Sequence, residues 1–356
     1  MGSRPAGATR AFVFVVGLVV GACTAPGSAS PSPPAKVVLL THDSFAISDG
    51  ILEAFQTAHG VSLEVVRGGD AGETVNKAIL TRDAPLADAL FGVDNTFLSR
   101  ALDAGIFDPY VSSAAASVRP ELAEGTSGTV TPVDYGDVCV NYDNEAFGAD
   151  LPPPQSLEQL ADPRYRGMLV VENPATSSPG LAFLLATIGR FGEGGDYSWQ
   201  EYWRDLREND VRIDNDWDTA YYTSFSGGAG EGDRPLVVSY ATSPAAEVVF
   251  AEPQPTTAPT AVLVDGCFRQ VEYAGVLRGS KAPSAARALV DFMLSPEFQA
   301  DIPLNMFVFP ANADAEVPDV FVQHAARVSQ PVTKDAVTIA ANRDAWVEEW
   351  TDVVLR

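Results

Sequence analysis

Short apolar runs alternate with amphipathic stretches along residues 36–104. Apolar runs of this length are typical of strands buried on both faces, and spaced apolar positions that stop at a glycine are typical of helices. The pattern predicts strands at Lys36–Leu40, Val61–Val66 and Ala87–Val93, and helices at Ile51–Ala58, about Thr74–Thr81 and Phe97–Ala104. This βαβαβ order predicts an α/β protein with a mainly parallel sheet.

The same order returns after the middle of the chain. Met168–Val171 and Leu236–Ser239 are predicted strands, and predicted helices follow them at Leu181–Ile188 and from Ala245 onwards. Polar residues stand at each junction between a strand and its helix, as they do in the first part. In open α/β sheets a ligand binds in the crevice beyond these strand ends, so we expect the binding site there.

The N-terminus has the pattern of a secretion signal. Arg4 and Arg10 precede the uncharged apolar run Ala11–Val20, which is too short to span a bilayer because a spanning helix needs roughly 20 residues. The run leads into Val20-Gly21-Ala22-Cys23, which resembles a bacterial lipobox. We predict a lipoprotein signal peptide at residues 1–22 and lipidation of Cys23. A plain secretory signal with an incidental cysteine is the alternative.

Residues 23–36 are rich in proline and serine and predict a semi-extended tether behind the lipidated cysteine. An anchor, a tether and a globular body indicate a protein held at the extracellular face of the cell membrane by its lipid alone. Cys139 and Cys267 are the two remaining cysteines. Outside the cytoplasm such a pair favours a disulfide, with free buried thiols as the alternative.

Composition and charge exclude some classes of partner. The 356 residues allow two domains of ordinary size, and 46% hydrophobic with 20% charged residues is typical of a globular protein. Lys and Arg number 23 against 47 Asp and Glu, which gives a net charge of −24. Because nucleic acids require a basic face, we expect no nucleic-acid partner. The acidity is compatible with a cationic ligand.

Motifs for catalysis or metal binding are not found in the sequence. His42, His59 and His324 are the only histidines, and no HExxH, CxxC, GxxxxGK[ST] or GxGxxG pattern occurs. Ser177 lies in TSSPG and not in a GxSxG elbow. His42 beside Asp43 resembles a base with its orienting group, but a surface or hinge histidine is the favoured interpretation. We expect neither catalysis, a metal ion nor a cofactor.

Several segments together resemble one family of transport proteins. They are THDSF, GVDN, Asp134-Tyr135-Gly136, NPATSSPG, SYATSPA and ALVDFMLSPEFQADIP, in this order along the chain. The chain resembles the extracellular solute-binding proteins of ABC importers from about Val37 to Arg356. The LSPEFQ segment is general to that class. The combination of TxDSF, the Trp217 segment, SYATSP and a closing helix at Asn342–Trp350 resembles its thiamine-binding group more narrowly.

The resemblance implies a two-lobed periplasmic-binding-protein-like fold of type 2, with two crossover strands at the hinge. It implies a first crossover near Val138–Tyr142 and a second near Phe268–Gly275. Lobe 1 would comprise residues 37–137, lobe 2 residues 138–267, and residues 268–356 would supply the second crossover and the rest of lobe 1. Cys139 and Cys267 would then lie beside the hinge, where a disulfide would tie the crossovers together.

The resemblance also implies a set of ligand contacts. The stronger positions are Asp70, Ala71, Ser177, Ser178, Trp217, Tyr240, Ala241, Thr242 and Ser243, and the weaker ones are Asp43, Asp94 and Phe307. An indole among carboxylates suits a flat aromatic cation, and hydroxyls at a helix start suit an anion or a hydroxyethyl group. Turn chemistry at Asp70, helix capping at the serines, and core packing at Trp217 and Phe307 are the structural alternatives.

The function implied is that of a receptor that captures thiamine or its phosphates as a monomer. It would deliver its ligand to an ABC permease powered by a cytoplasmic ATPase. A ferric-iron receptor of the same fold is the first alternative, because Tyr221-Tyr222 resembles the tandem tyrosines that coordinate iron in related proteins. A thiamine-processing enzyme is the second alternative, although thiaminase-type relatives use a cysteine in the cleft and the two cysteines here would lie in the crossovers.

Overall fold

A computed structural model describes residues 35–356, so the predicted signal peptide, Cys23 and nearly all of the predicted tether lie outside the described residues. The strands are β1 (Ala35–Thr41), β2 (Val61–Arg67), β3 (Ala89–Asp94), β4 (Phe107–Asp108), β5 (Thr131–Asp143), β6 (Leu169–Glu172), β7 (Arg212–Asp214), β8 (Leu236–Tyr240), β9 (Thr260–Leu277) and β10 (Phe309–Pro310). The α-helices are α1 (Asp49–His59), α2 (Ala71–Leu80), α3 (Leu98–Asp103), α4 (Ser178–Phe191), α5 (Trp199–Glu208), α6 (Ser243–Phe250), α7 (Pro283–Phe292), α8 (Pro296–Asn305), α9 (Asp319–His324) and α10 (Ala336–Val354). None of the helices in this part of the chain is long and apolar enough to cross a membrane.

The strands form one mixed sheet in the order β2-β1-β3-β9-β5-β8-β6-β7, with β4 beside β9 and β10 beside β5. Its two ends are parallel, since β1 pairs parallel with β2 and β3, and β6 pairs parallel with β7 and β8. Every pair that includes β5 or β9 is antiparallel. The prediction of a mainly parallel sheet is therefore wrong for the centre, because the βαβ pattern on which it rests describes only the two ends.

The long strands β5 and β9 connect the two ends of the sheet. They have 13 and 18 residues and pair with each other almost from end to end. The first part of β5 pairs with β10 and its later part with β8, while the later part of β9 pairs with β3. Each strand therefore passes from one lobe to the other. We call the elements around β1–β4 the first lobe and those around β6–β8 the second lobe.

The pairing of β5 with β9 is interrupted on the side of the second lobe. Val138 pairs with Phe268 and Val140 with Leu263, so four residues of β9 bulge opposite one residue of β5. Gly266 lies in this bulge with φ of +73°, a conformation that side chains other than glycine rarely adopt. Cys139 and Cys267 form a disulfide at the bulge, which links the two crossover strands covalently.

The secondary structure agrees with the predicted pattern at most elements and differs at some helix starts. α1 and the strands β1, β2 and β3 lie within two residues of their predicted ranges. α2 begins at Ala71, earlier than the predicted Thr74, because the carboxylate of Asp70 accepts a hydrogen bond from the Ala71 N–H and caps the helix. α4 begins at Ser178, three residues before the predicted Leu181.

The C-terminal helix α10 packs against α5 of the second lobe and α3 of the first lobe. Trp350 on α10 meets Trp203 on α5 edge to face, with ring centroids 5.5 Å apart, and both side chains are buried. The Arg343 guanidinium lies 4.5 Å from the ring centroid of Phe97, just before α3. Because α10 contacts both lobes, the assignment of all of residues 268–356 to the second crossover and lobe 1 stays a prediction.

Replacement of Trp350 by alanine should lower the free energy of unfolding by about 3–5 kcal/mol, since it removes a fully buried ring and leaves a cavity between α10 and α5. Val337→Ala on the same helix is the matched control, because Val337 is 79% exposed and should change stability by less than about 0.5 kcal/mol. Urea unfolding followed by tryptophan fluorescence measures both. Equal stability of the two variants would contradict the packing described.

Candidate functional site

A cavity of about 320 Å³ lies where the two lobes meet over the crossover strands. The first lobe contributes residues from the loop after β1 and from the start of α2, and the second lobe contributes residues from the starts of α4 and α6. Gln270 and Glu272 of β9 form its floor. The site therefore lies at strand ends that are followed by helices, as the sequence pattern predicts.

Aromatic side chains of the second lobe form one wall of the cavity. Trp217 and Tyr221 are stacked with centroids 5.0 Å apart, and Tyr222 meets Trp217 edge to face at 5.5 Å. Both tyrosines belong to a π-helical segment, Thr219–Ser224, a rare conformation that often occurs at functional sites. The indole N–H of Trp217 donates a hydrogen bond to the Ser239 hydroxyl at 3.0 Å, which fixes the ring in its place.

Phe307 closes a second side of the cavity. Its ring centroid lies 4.9 Å from that of Phe250, a residue of α6 that also lines the cavity. The backbone of Phe307 has φ of +55°, in the left-handed region that a non-glycine residue adopts at a cost of about 1–2 kcal/mol. The Thr242 hydroxyl donates a hydrogen bond to the Phe307 carbonyl and helps to hold this conformation.

Asp70 joins the two lobes at the edge of the cavity. Its carboxylate accepts hydrogen bonds from the Ala71 N–H at 2.6 Å and, across the cleft, from the backbone N–H of Trp217 at 3.1 Å. Burial raises the pKa of Asp70 to about 6, and these hydrogen bonds oppose the rise. An aspartate of the first lobe thus positions the binding tryptophan predicted in the second lobe.

The floor of the cavity contains a buried histidine and a buried glutamate. The Nε2 atom of His42 lies 3.3 Å from an Oε1 oxygen of Glu272. Burial acts to lower the pKa of His42, but the carboxylate of Glu272 outweighs it and holds the pKa above its ordinary value. Burial acts to raise the pKa of Glu272, and the imidazole outweighs it in turn and holds that pKa below its ordinary value. Each side chain therefore favours the charged form of the other.

Carboxylates dominate the charge of the cavity. Asp70, Asp218, Glu247 and Glu272 line it together with His42, and no lysine or arginine is found among its described lining residues. Aromatic faces and carboxylates both attract cations, and both act more strongly where water is excluded. The arrangement favours a flat cationic ligand.

Seven of the twelve predicted ligand contacts line the cavity. They are Asp70, Ala71, Ser178, Trp217, Tyr240, Ser243 and Phe307. The other five, Ser177, Ala241, Thr242, Asp43 and Asp94, do not line it. All of these except Asp43 are fully buried, and the Asp43 carboxylate accepts a hydrogen bond from the Gly69 N–H at 3.0 Å. Their roles as ligand contacts stay predictions.

Asp94 holds the turn that leads into α3 and does not line the cavity. One of its oxygens accepts hydrogen bonds from the Thr96 N–H, the Thr96 hydroxyl and the Phe97 N–H at the start of α3. The other oxygen has no partner among the described residues. Burial raises the pKa of Asp94 to about 6.

Sequence reasoning missed Gln270, Glu272 and Glu247 as lining residues and interpreted His42 as a hinge or surface residue. Gln270 and Glu272 stand two apart in β9, a polar pair on one face of a strand that is otherwise largely apolar there. This alternation of polar and apolar positions in β9 is the sequence pattern that could have indicated that Gln270 and Glu272 line a cavity. The contact of His42 with Glu272 joins residues far apart in the chain, and no local pattern predicts it.

The residues on which the two alternative functions depend, Tyr221 for an iron receptor and the cysteines for an enzyme, have other contacts in the structure. The Tyr221 hydroxyl donates a hydrogen bond to the Glu247 carboxylate at 2.6 Å, and burial raises the pKa of Tyr221 well above its ordinary value. In residues 35–356 no group of three or more His, Cys, Asp or Glu could hold a metal ion. Cys139 and Cys267, joined in the disulfide, do not line the cavity.

Comparison with known proteins identifies the family. The model of the bacterial extracellular solute-binding proteins matches residues 84–328, which is more than half of the chain. The chain belongs to this family. The solute-binding protein described here is 30% identical over 341 residues to the thiamine-binding periplasmic protein of Escherichia coli, which covers 94% of this chain and 97% of the relative. The protein of the same description from Brucella melitensis is 28% identical over 321 residues, 88% of this chain and 91% of the relative.

Solved structures support the fold of the solute-binding protein. A periplasmic thiamin binding protein matches with a TM-score of 0.77 and 28% identity, over 90% of this chain and 96% of that chain. Iron-bound HitA from Pseudomonas aeruginosa matches with a TM-score of 0.68 and 20% identity, over 90% and 99% of the two chains, and at that identity it supports the fold alone. The predicted two-lobed fold of type 2 with two crossover strands is confirmed.

The buried carboxyl of Asp94 should make stability depend on pH. Its folded-state pKa of about 6 exceeds the ordinary 3.8, so the folded state binds more protons than the unfolded state between these values. This contribution makes the protein more stable as the pH falls from 7 to 4. In Asp94→Asn, whose amide oxygen can accept the same hydrogen bonds from Thr96 and Phe97, the contribution disappears. The free energy of unfolding of the wild type should thus rise relative to the variant by about 2–3 kcal/mol over this range.

Urea unfolding at a series of pH values measures this difference, and Asp83→Asn is the matched control because Asp83 is exposed. The control should keep the pH dependence of the wild type. A difference between the wild type and Asp94→Asn that stays constant from pH 7 to pH 4 would contradict the prediction.

Proposed function

We propose that the protein is a lipid-anchored extracellular receptor that binds thiamine, with its phosphates as further candidate ligands, and delivers it to an ABC importer. The observation that carries the proposal is the face of Trp217 in a cavity lined by carboxylates. Thiamine joins an aminopyrimidine to a thiazolium ring, so it is flat, aromatic and cationic. Thiamine-binding periplasmic proteins with up to 30% identity over nearly the whole chain support the same ligand.

Each part of the ligand has a chemically suitable partner in the cavity. The stacked Trp217 and Tyr221 offer an aromatic face worth about 0.5–2 kcal/mol toward a cation, and the carboxylates of Asp70 and Glu247 oppose its charge. The hydroxyls of Ser178 and Ser243 at the starts of two helices suit the hydroxyethyl group or an attached phosphate. Asp70, Ala71, Tyr240 and Phe307 complete the proposed contacts.

Closure of the two lobes on the ligand is the proposed mechanism of capture. The Asp70 carboxylate bonds the Trp217 N–H across the cleft, and the Ser44 hydroxyl lies 3.5 Å from the Asp218 carboxylate. Gly72 of the first lobe approaches Thr176 of the second so closely that a Cβ at position 72 would lie 2.5 Å from the Thr176 carbonyl oxygen. These contacts belong to a closed conformation, which a ligand favours by binding it more tightly than the open one.

Anchoring and delivery rest on the sequence. Cleavage after residue 22 and lipidation of Cys23 would leave the body on a tether of residues 23–36 outside the membrane. A monomer bound by its lipid alone could then hand its ligand to a permease with a cytoplasmic ATPase. The proposal includes no catalytic step and no cofactor.

Trp217→Ala should weaken thiamine binding at least tenfold, equivalent to about 1.4 kcal/mol, because it removes the aromatic face. Isothermal titration of the purified protein, unfolded and refolded beforehand to remove carried-over ligand, measures the affinity. Tyr197→Ala is the control, since Tyr197 is 42% exposed and does not line the cavity, and it should bind like the wild type. Unchanged affinity in Trp217→Ala would remove this residue from the site, and a folded wild type that binds no thiamine would refute the proposed ligand.

Addition of ferric nitrilotriacetate to the purified protein should produce no visible phenolate-to-iron absorption band. Iron coordination by Tyr221 requires loss of its proton, which burial and its hydrogen bond to Glu247 both disfavour. Absorption spectroscopy of the refolded protein measures the band. A band that is lost in Tyr221→Phe would instead favour the ferric-iron receptor.

A further inference from the structure

Two polar side chains of β9 face the cavity from the crossover strand. Gln270 and Glu272 stand two residues apart, so they project from the same face of the strand. Both line the cavity although their residues are only 2% and 7% exposed. Buried polar groups in a largely apolar pocket fix the orientation of a ligand, since leaving them without partners costs free energy.

Gln270 is held so that it presents a donor. The Tyr240 hydroxyl donates a hydrogen bond to the amide oxygen of Gln270 at 2.9 Å. Gly136 of β5 pairs with Gln270 of β9. The glycine leaves space for the Tyr240 ring, because a Cβ at position 136 would lie 2.9 Å from a carbon of that ring. With its oxygen engaged in this way, Gln270 turns its N–H₂ group toward a ligand acceptor.

Glu272 presents an acceptor. The Nε2 atom of His42 lies 3.3 Å from one of its oxygens and favours the ionised form of the carboxyl. Its neighbours in the sheet are Asp94 on β3 and Asp134 on β5, both in register with it. Burial and the Glu272 carboxylate both raise the pKa of Asp134, whereas the imidazole of His42 lowers the pKa of Glu272, so a negative charge is favoured on Glu272 over Asp134. An ionised carboxylate accepts hydrogen bonds and donates none.

We propose that Gln270 and Glu272 recognise the aminopyrimidine ring of the ligand, with Glu272 accepting a hydrogen bond from the exocyclic amino group and Gln270 donating one to a ring nitrogen. The pair of one fixed donor and one fixed acceptor matches the polar pattern of this ring. The aromatic wall then receives the cationic ring. This assignment rests on the proposed function and adds to it the residues that determine specificity for the uncharged half of the ligand.

Two analogues of thiamine separate the halves of the ligand. Oxythiamine carries an oxygen in place of the amino group and would turn an acceptor toward Glu272. Pyrithiamine keeps the aminopyrimidine and replaces the thiazolium by another cationic ring. Isothermal titration of the purified wild type should give similar affinities for thiamine and pyrithiamine and an affinity for oxythiamine that is about a hundredfold weaker.

Glu272→Gln should abolish this selectivity, because an amide can turn its N–H₂ group toward the oxygen of oxythiamine. The affinity for thiamine should fall about tenfold and that for oxythiamine should rise about tenfold, so their ratio changes about a hundredfold. Glu247→Gln makes the same chemical change at the aromatic end of the same cavity. It should weaken both ligands alike and leave their ratio as in the wild type.

The outcomes distinguish this proposal from the proposed function. Absence of binding of all three ligands to the folded wild type would overturn the proposed function and this assignment with it. Tight binding of thiamine together with equally tight binding of oxythiamine would overturn the assignment alone. The comparison of thiamine with oxythiamine in the wild type tests the assignment even if Glu272→Gln fails to fold. A folded Glu272→Gln protein that keeps the wild-type ratio would also overturn it.

Discussion

The antiparallel pairing of β5 with β9 is the constraint on which the rest of the structure depends. Both lobes are attached to these two strands through the sheet, since β3 pairs with β9 in the first lobe and β8 pairs with β5 in the second. Within the sheet of the described residues, β5 and β9 are the strands that join the parallel end of the first lobe to that of the second. A cavity that lies over the pair therefore has walls that belong to separate lobes and a floor that belongs to both. Relative movement of the lobes changes the walls and leaves Gln270 and Glu272 in place.

Three of the four carboxylates that line the cavity are each held by a different kind of partner. Asp70 accepts backbone N–H groups, Glu247 accepts the Tyr221 hydroxyl, and Glu272 faces the imidazole of His42. These contacts fix the carboxylate positions, but only His42 can bring a compensating positive charge. A cation that enters the cavity supplies the missing charge. The electrostatic cost of assembling the site without ligand thus becomes part of the selectivity for a positively charged guest.

Local patterns in the sequence predicted the elements at the two ends of the sheet because each forms largely from its own residues. The apolar run at Lys36–Leu40 and the amphipathic stretch before Gly60 are examples. The predicted start of α2 is three residues late because Asp70 caps the helix at Ala71, within a glycine-rich segment that has the pattern of a loop. The antiparallel centre of the sheet could not be inferred from βαβ periodicity, which carries no information about strands that return between lobes.

The site was predictable to the extent that resemblance to a family carried it. Trp217 and Tyr240 line the cavity as the motifs implied, whereas Asp94 bonds Thr96 and Phe97 in the turn before α3. Glu272 and His42 were missed because their roles depend on a contact between β9 and the loop after β1. The burial of both side chains follows from the packing of these two segments and leaves no local pattern in the sequence. The sequence motifs therefore indicated candidate residues, and the packing of the folded chain determines which of these residues line the cavity.

The disulfide has a consequence for survival outside the cell. Cys139 and Cys267 are 128 residues apart, and the covalent loop that they close contains nearly all of the second lobe. A protease that cuts the backbone once anywhere within this loop therefore leaves both fragments joined by the disulfide. A molecule that an extracellular protease has cut once in this loop would therefore remain covalently connected and would not lose one half of its binding site.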